Sequence, residues 1–121
     1  MSDTRWPTQI HLKNNGKNLE ITFDDGFEVS FTSEFLRVMS PSAEVQGHTP
    51  DQRKVIAGKK DVSIIGVDPV GNYAVKLTFD DLHDTGIFTW AYFQEMEEQR
   101  DFLWNRYLKE LEERGLSREL G

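Results

Sequence analysis

Leu19-Glu20-Ile21-Thr22-Phe23-Asp24-Asp25-Gly26-Phe27-Glu28-Val29-Ser30-Phe31 decides the fold. Apolar residues take every second position on both sides of Asp24-Asp25-Gly26. Side chains of an extended strand point alternately to opposite faces, so Leu19, Ile21 and Phe23 share a face, as do Phe27, Val29 and Phe31. The Asp-Asp-Gly between the runs is a turn signal. Upstream, Ile10 and Leu12 alternate in the same way ahead of Asn14-Asn15-Gly16, which supplies left-handed backbone positions. Three such runs with tight connections predict an antiparallel meander with one buried face.

Working outward, Ser33 is expected to cap a short helix through Phe35, Leu36 and Val38, which Pro41 ends. Residues 40–61 then form a long connection with Pro41, Gly47, Pro50 and Gly58, and connections of that length are often functional. Val62–Val67 and Ala74–Phe79 read as a second hairpin around an Asp68-Pro69-Val70-Gly71-Asn72 turn. Asp80–Gly86 reads as polar, with a bend at Gly86. From about Thr89 to Arg114 the period changes. Trp90, Tyr92, Phe93, Met96, Leu103, Trp104, Tyr107, Leu108 and Leu111 fall within an arc of about 160° on one helix, and Gly115 suits its C-terminal cap. The predicted fold class is α+β: an antiparallel β-rich domain of about five strands in two hairpin or meander units. One short helix and one long C-terminal amphipathic helix complete it. Residues 8–115 form the domain, with a flexible N-terminus over 1–7 and a tail over 116–121.

The length, 121 residues, suits one domain burying roughly 65% of its unfolded surface. There is no cysteine, which excludes disulfides, thiolate metal sites and a cysteine nucleophile, and fits a reducing, cytoplasmic setting. The net charge of −7 argues against nucleic acid and anionic membrane surfaces as partners. No apolar run approaches bilayer length, and Met1–Pro7 lacks the apolar core of a signal peptide.

Chemistry-bearing motifs are sparse. There is no phosphate-cradling glycine loop and no Gly-x-Ser-x-Gly elbow around Ser40 or Ser42. His11 sits between Ile10 and Leu12 and should face solvent. His48 and His83 are candidates either for a metal site with Glu44, Asp81 or Asp84, or for loop-stabilising hydrogen bonds. Arg53, Lys54, Lys59 and Lys60 form a basic cluster suited to an acidic protein surface. Arg100 falls inside the apolar arc, where its stem can snorkel and Glu97 can pair with it. Phe102 falls outside the arc.

Three segments, in order, carry a resemblance: Leu36-Arg37-Val38-Met39-Ser40-Pro41-Ser42-Ala43-Glu44-Val45-Gln46-Gly47-His48, then Val67–Val75, then Phe79-Asp80-Asp81-Leu82-His83-Asp84-Thr85-Gly86-Ile87-Phe88-Thr89-Trp90. Over roughly residues 8–95 the chain resembles the gamma-butyrobetaine hydroxylase-like N-terminal domain family. The resemblance implies a compact β-rich α+β domain. Related domains precede the catalytic part of carnitine-pathway oxygenases, follow the P-loop part of some iron–sulfur scaffold ATPases, or stand free. In the oxygenase branch three cysteines and a histidine bind zinc, and these positions correspond to Ser40, Ser42, Val45 and His83. Only His83 is kept as a ligand. The resemblance therefore implies that Ser40 and Ser42 replace metal–thiolate bonds by hydrogen bonds between the loop and its neighbours.

The expected function is a non-catalytic interaction module without a cofactor. It would dock a protein partner through residues 40–61 and 81–90, with Ser40, Ser42, Glu44, His48, His83, Asp84 and Trp90 as the partner-binding set. The fusions point to iron–sulfur or cofactor-protein assembly. The alternative is an iron or zinc protein with a site rebuilt from His83, His48 and carboxylates.

Overall fold

Asn14, Asn15 and Gly16, with φ of 55°, 58° and 83°, turn the chain back between β1 (Pro7–Lys13) and β2 (Asn18–Phe23). β3 (Glu28–Thr32) completes an antiparallel sheet of order β1-β2-β3. Leu19 pairs with Phe31 and Ile21 with Val29, so the alternating residues of β2 and β3 share one buried face. The computed structural model describes residues 6–119, so the expected flexible segment 1–7 lies mostly outside the described residues. Its last residue, Pro7, already opens β1. As an edge strand β1 contributes little to the core: Ile10 is half-buried and Leu12 is exposed.

The helix α1 (Ser33–Val38) follows β3 without a gap. Its cap is Thr32, not Ser33: the Thr32 hydroxyl accepts from the Phe35 N–H at 3.1 Å. Ser33 is buried and donates instead to the Val62 carbonyl, tying the helix to the far connection. The long connection contains α2 (Ala43–Gln46) and a 3₁₀ turn at Pro50–Gln52.

The second sheet has order β4-β5-β6: β4 (Ile64–Val70), β5 (Ala74–Phe79) and β6 (Gly86–Thr89). The structure therefore has six strands, one more than the expected five. Gly86-Ile87-Phe88-Thr89 is too short for a periodicity signal, but Phe88 is buried and Leu77 pairs with Gly86. β4 also runs through Asp68 and Pro69, which the sequence reading put in the turn. Proline is tolerated there because β4 is an edge strand.

The expected long helix is two: α3 (Trp90–Glu98) and α4 (Arg100–Glu113), broken at Gln99, where φ is −110° and ψ is 14°. No proline or glycine marks the break. Each helix has its own burial task. Phe93 of α3 lies 5.6 Å from the Phe88 ring of one sheet and 5.8 Å from the Phe31 ring of the other, so α3 joins both sheets in one core. On α4, Trp104 packs on Phe35 and Tyr107 donates to the Ile56 carbonyl at 2.6 Å. Arg100 behaves as expected: it bonds Glu97 and lays its guanidinium over Phe31 at 4.5 Å. Residues 116–119 return to the domain. Gly58 and Lys60 N–H groups donate to the Ser117 and Arg118 carbonyls, both at 2.9 Å. Among the described residues no helix is long and apolar enough to cross a membrane.

Candidate functional site

α1 ends at Val38 with Met39 as its cap, and Pro41 forbids its continuation, so Ser40 leaves the helix facing inward with no exposed surface. Ser42 restarts the helical backbone. Its hydroxyl accepts from the Glu44 N–H at 3.1 Å as the cap of α2. The turn between β5 and β6 crosses directly beside this loop. It is pinched by the Phe79 N–H donating to the His83 carbonyl at 2.9 Å, and His83 is buried.

The two loops are cross-linked by side chains. His83 Nδ1 lies 3.0 Å from Glu44 Oε1, and its Nε2 lies 2.9 Å from Ser40 Oγ. Ser42 Oγ lies 2.7 Å from Thr85 Oγ1. The donors follow from the partners. A carboxylate only accepts, so Nδ1 carries the proton, Nε2 accepts, and the Ser40 hydroxyl donates to it. Ser40 Oγ in turn accepts from the Ser42 N–H at 3.3 Å. Ser42 Oγ also accepts from the Glu44 N–H, and the Ser42 and Thr85 hydroxyls share one further hydrogen bond. The array is fully satisfied with His83 neutral. Burial first, then the Arg37 guanidinium, lower the His83 pKa below 6.5 against the opposing pull of Glu44 and Asp81.

Beneath the turn, Asp81 gathers Arg37 Nε at 2.8 Å, Lys59 Nζ at 2.6 Å and the His83 N–H at 3.2 Å. Burial works to raise its pKa, but these donors outweigh it and hold Asp81 down at about 2. Tyr92, whose pKa burial pushes up to about 12, anchors the start of the first loop by donating to the Met39 carbonyl at 2.6 Å.

The sequence-derived residues divide by burial. Ser40, Ser42, His83 and Trp90 are buried, while Glu44, His48 and Asp84 are exposed. Ser40, Ser42, Glu44 and His83 come together. Trp90 sits in the core beside Phe93, with its Nε1–H donated to the Asn72 carbonyl at 3.0 Å. His48 lies apart, lining a different pocket with Arg53 and Arg106. The basic cluster is likewise split, Lys59 going to Asp81 and Arg53 to Glu110. The sequence reading missed Arg37, Thr85 and Gly86. Gly86 is needed because a Cβ there would stand 2.5 Å from Ser40 Oγ. Its position facing the serine loop is set by strand pairing, which no local motif encodes.

Two chemistries can be tested on this geometry. The order Glu44–His83–Ser40 is that of a hydrolase triad. However, Ser40 is fully buried, its oxygen is already in use, and Gly86 packs against it, so no acyl group can reach it. The zinc site of the oxygenase branch does not fit either. Two hydroxyls and the side chain of Val45 stand where thiolates would be, and both His83 nitrogens are engaged. Among the described residues, no group of three or more His, Asp or Glu is placed to hold a metal ion.

No curated protein matches the chain. Among solved structures, one protein with an NMR solution structure is 45% identical, with a TM-score of 0.79, over 96% of this chain and 91% of its own. A second NMR structure is 44% identical, with a TM-score of 0.82, over 98% and 88% of the two chains. A crystal structure of a protein of unknown function from Acidithiobacillus ferrooxidans, placed in the DUF971 family, is 38% identical. Its TM-score is 0.64, over 78% of this chain and 97% of that one. The family model described as gamma-butyrobetaine hydroxylase-like, N-terminal, matches residues 10–94, which include both cross-linked loops. This chain belongs to the gamma-butyrobetaine hydroxylase-like N-terminal family.

Proposed function

We propose that the domain is a non-catalytic docking module whose recognition loops, 40–61 and 81–90, are held in shape by the Ser40–His83–Glu44 bonds. The observation that carries this reading is Leu82. It is 85% exposed and has φ of 73°, in the left-handed region that costs a branched side chain energy. Its flanking residues, Asp81 and His83, are among the most heavily bonded in the molecule. A glycine would make the same turn without strain. The rigid base therefore presents an apolar side chain that gains nothing from this fold and gains only when another surface covers it.

Glu44, which bonds His83, and the neighbouring Asp84 supply polar contacts on this face, His48 lies apart from it, and the buried residues reach a partner only through the loops they hold. A net charge of −7 favours a protein surface over a polyanion. The settings implied by the resemblance make a protein of iron–sulfur or cofactor-protein assembly the first class of partner to try. The test is affinity capture from source-cell extract with the wild type and with Leu82→Gly, whose fold is checked by thermal melting. A defined protein held by the wild type and released by a fully folded Leu82→Gly supports docking. Identical capture by both, or no specific capture, contradicts it.

A further inference from the structure

On the far side of α2 the 46–49 loop forms a second feature, away from the Ser40–His83–Glu44 bonds. Gln46, Gly47, His48, Thr49, Arg53 and Arg106 line an open pocket of about 400 Å³. Two of these residues are arginines and a third is a histidine. No acidic residue lines it, although the chain is strongly acidic overall.

The loop is built to hold this shape. Gly47 has φ of 68° and ψ of −164°, a region only glycine adopts, and a Cβ there would meet the Gln52 Cβ at 2.5 Å. The His48 N–H donates to Gln52 Oε1 at 2.9 Å and the Lys54 N–H to the Val45 carbonyl at 2.7 Å. Arg53 is fixed by Glu110 Oε2, and the Thr49 hydroxyl takes up Asp51, so these acids are occupied outside the pocket wall.

Arg106 supplies the second observation. Its Nε is buried and has no hydrogen-bond partner among the described residues. The rest of its guanidinium likewise forms no hydrogen bond or ion pair among the described residues, so an acceptor in the pocket that Arg106 lines would give it a partner. We propose that this pocket binds the oxyanion group, phosphate or carboxylate, of a small molecule, with Arg106 as the principal donor and Arg53 and His48 completing the cradle. Bidentate guanidinium contacts suit both groups.

The test follows the Gly47, His48 and Thr49 amides by ¹H–¹⁵N NMR while inorganic phosphate, and separately acetate, is added at constant ionic strength. Saturable movement with phosphate assigns a phosphate-bearing ligand, and with acetate a carboxylate. Either must weaken about tenfold in Arg106→Gln and about threefold in His48→Ala, and stay unchanged in Arg114→Gln, which lies outside the pocket. His48 is exposed, so His48→Ala keeps the test readable if Arg106→Gln does not fold. Glu110 Oε1, one turn along α4, is also unpartnered. If Arg106 simply closes onto Glu110, neither anion moves the amides. That result, or saturation unaltered in Arg106→Gln and His48→Ala, overturns the proposal.

Discussion

The tautomer of His83 is dictated by its neighbours, and so is its response to acid. A second ring proton would have to displace the Ser40 hydroxyl, which is buried and has no other acceptor shown. The folded chain therefore takes up this proton less readily than the unfolded one, whose histidine titrates near 6.5. With the folded pKa below the unfolded value, stability is full above pH 6.5 and declines as the pH falls toward the folded pKa. Urea midpoints measured from neutral pH downward should drop over this window for the wild type and less steeply for His83→Gln. Asp81 has the same sign in a lower window. Its pKa is about 2 in the fold against 3.8 ordinarily, so its contribution is present above pH 3.8 and disappears as the pH falls through about 2. Asp81→Asn should cost about 2 kcal/mol at neutral pH and nothing near the acid end, read from the same unfolding curves. The presence of His83 at the site was legible in the sequence. The roles of Arg37 and Thr85 were not, because Arg37 meets Asp81 across 44 residues and Thr85 meets Ser42 across 43, pairings that no spacing rule gives.

The turn between β5 and β6 combines a rigid base with a strained tip. Replacing Leu82 by glycine removes the left-handed penalty, adds some unfolded-state freedom and loses no buried contact. Leu82→Gly should thus raise stability by about 1 kcal/mol by thermal or chemical unfolding, the opposite of what removing a leucine does in a core. The alternation of β2 and β3 was fully legible, since each turn of Asn14-Asn15-Gly16 and Asp24-Asp25-Gly26 flanks clear period-two runs. β6 escaped notice because four residues around one buried phenylalanine carry almost no period. The break at Gln99 escaped too. The apolar arc is continuous across it, and only the different targets of Phe93 and Trp104 reveal two helices.

At the scale of the whole molecule, two small sheets share one core through α3, and the chain's last described residues close it. Arg118 reaches back 84 residues to grip Glu34 with both ends of its fork at 2.7 Å, and stacks over Trp104 at 5.2 Å. Glu34 is buried, so Arg118→Ala strands its charge and should lower stability by about 2 kcal/mol, measured by urea unfolding. Nothing in the sequence between Gly115 and Arg118 marks this return, because its partner is set by tertiary packing. The central claim is that hydrogen bonds centred on a neutral His83 hold the two recognition loops where oxygenase-branch relatives use zinc. Long-range ¹H–¹⁵N NMR of the His83 ring tests it most directly, recorded at neutral pH before and after a metal chelator is added. The account predicts a protonated Nδ1, a bare hydrogen-bonded Nε2, and no change with chelator. A charged ring, a proton on Nε2, or ring signals that move when metal is stripped away would contradict it.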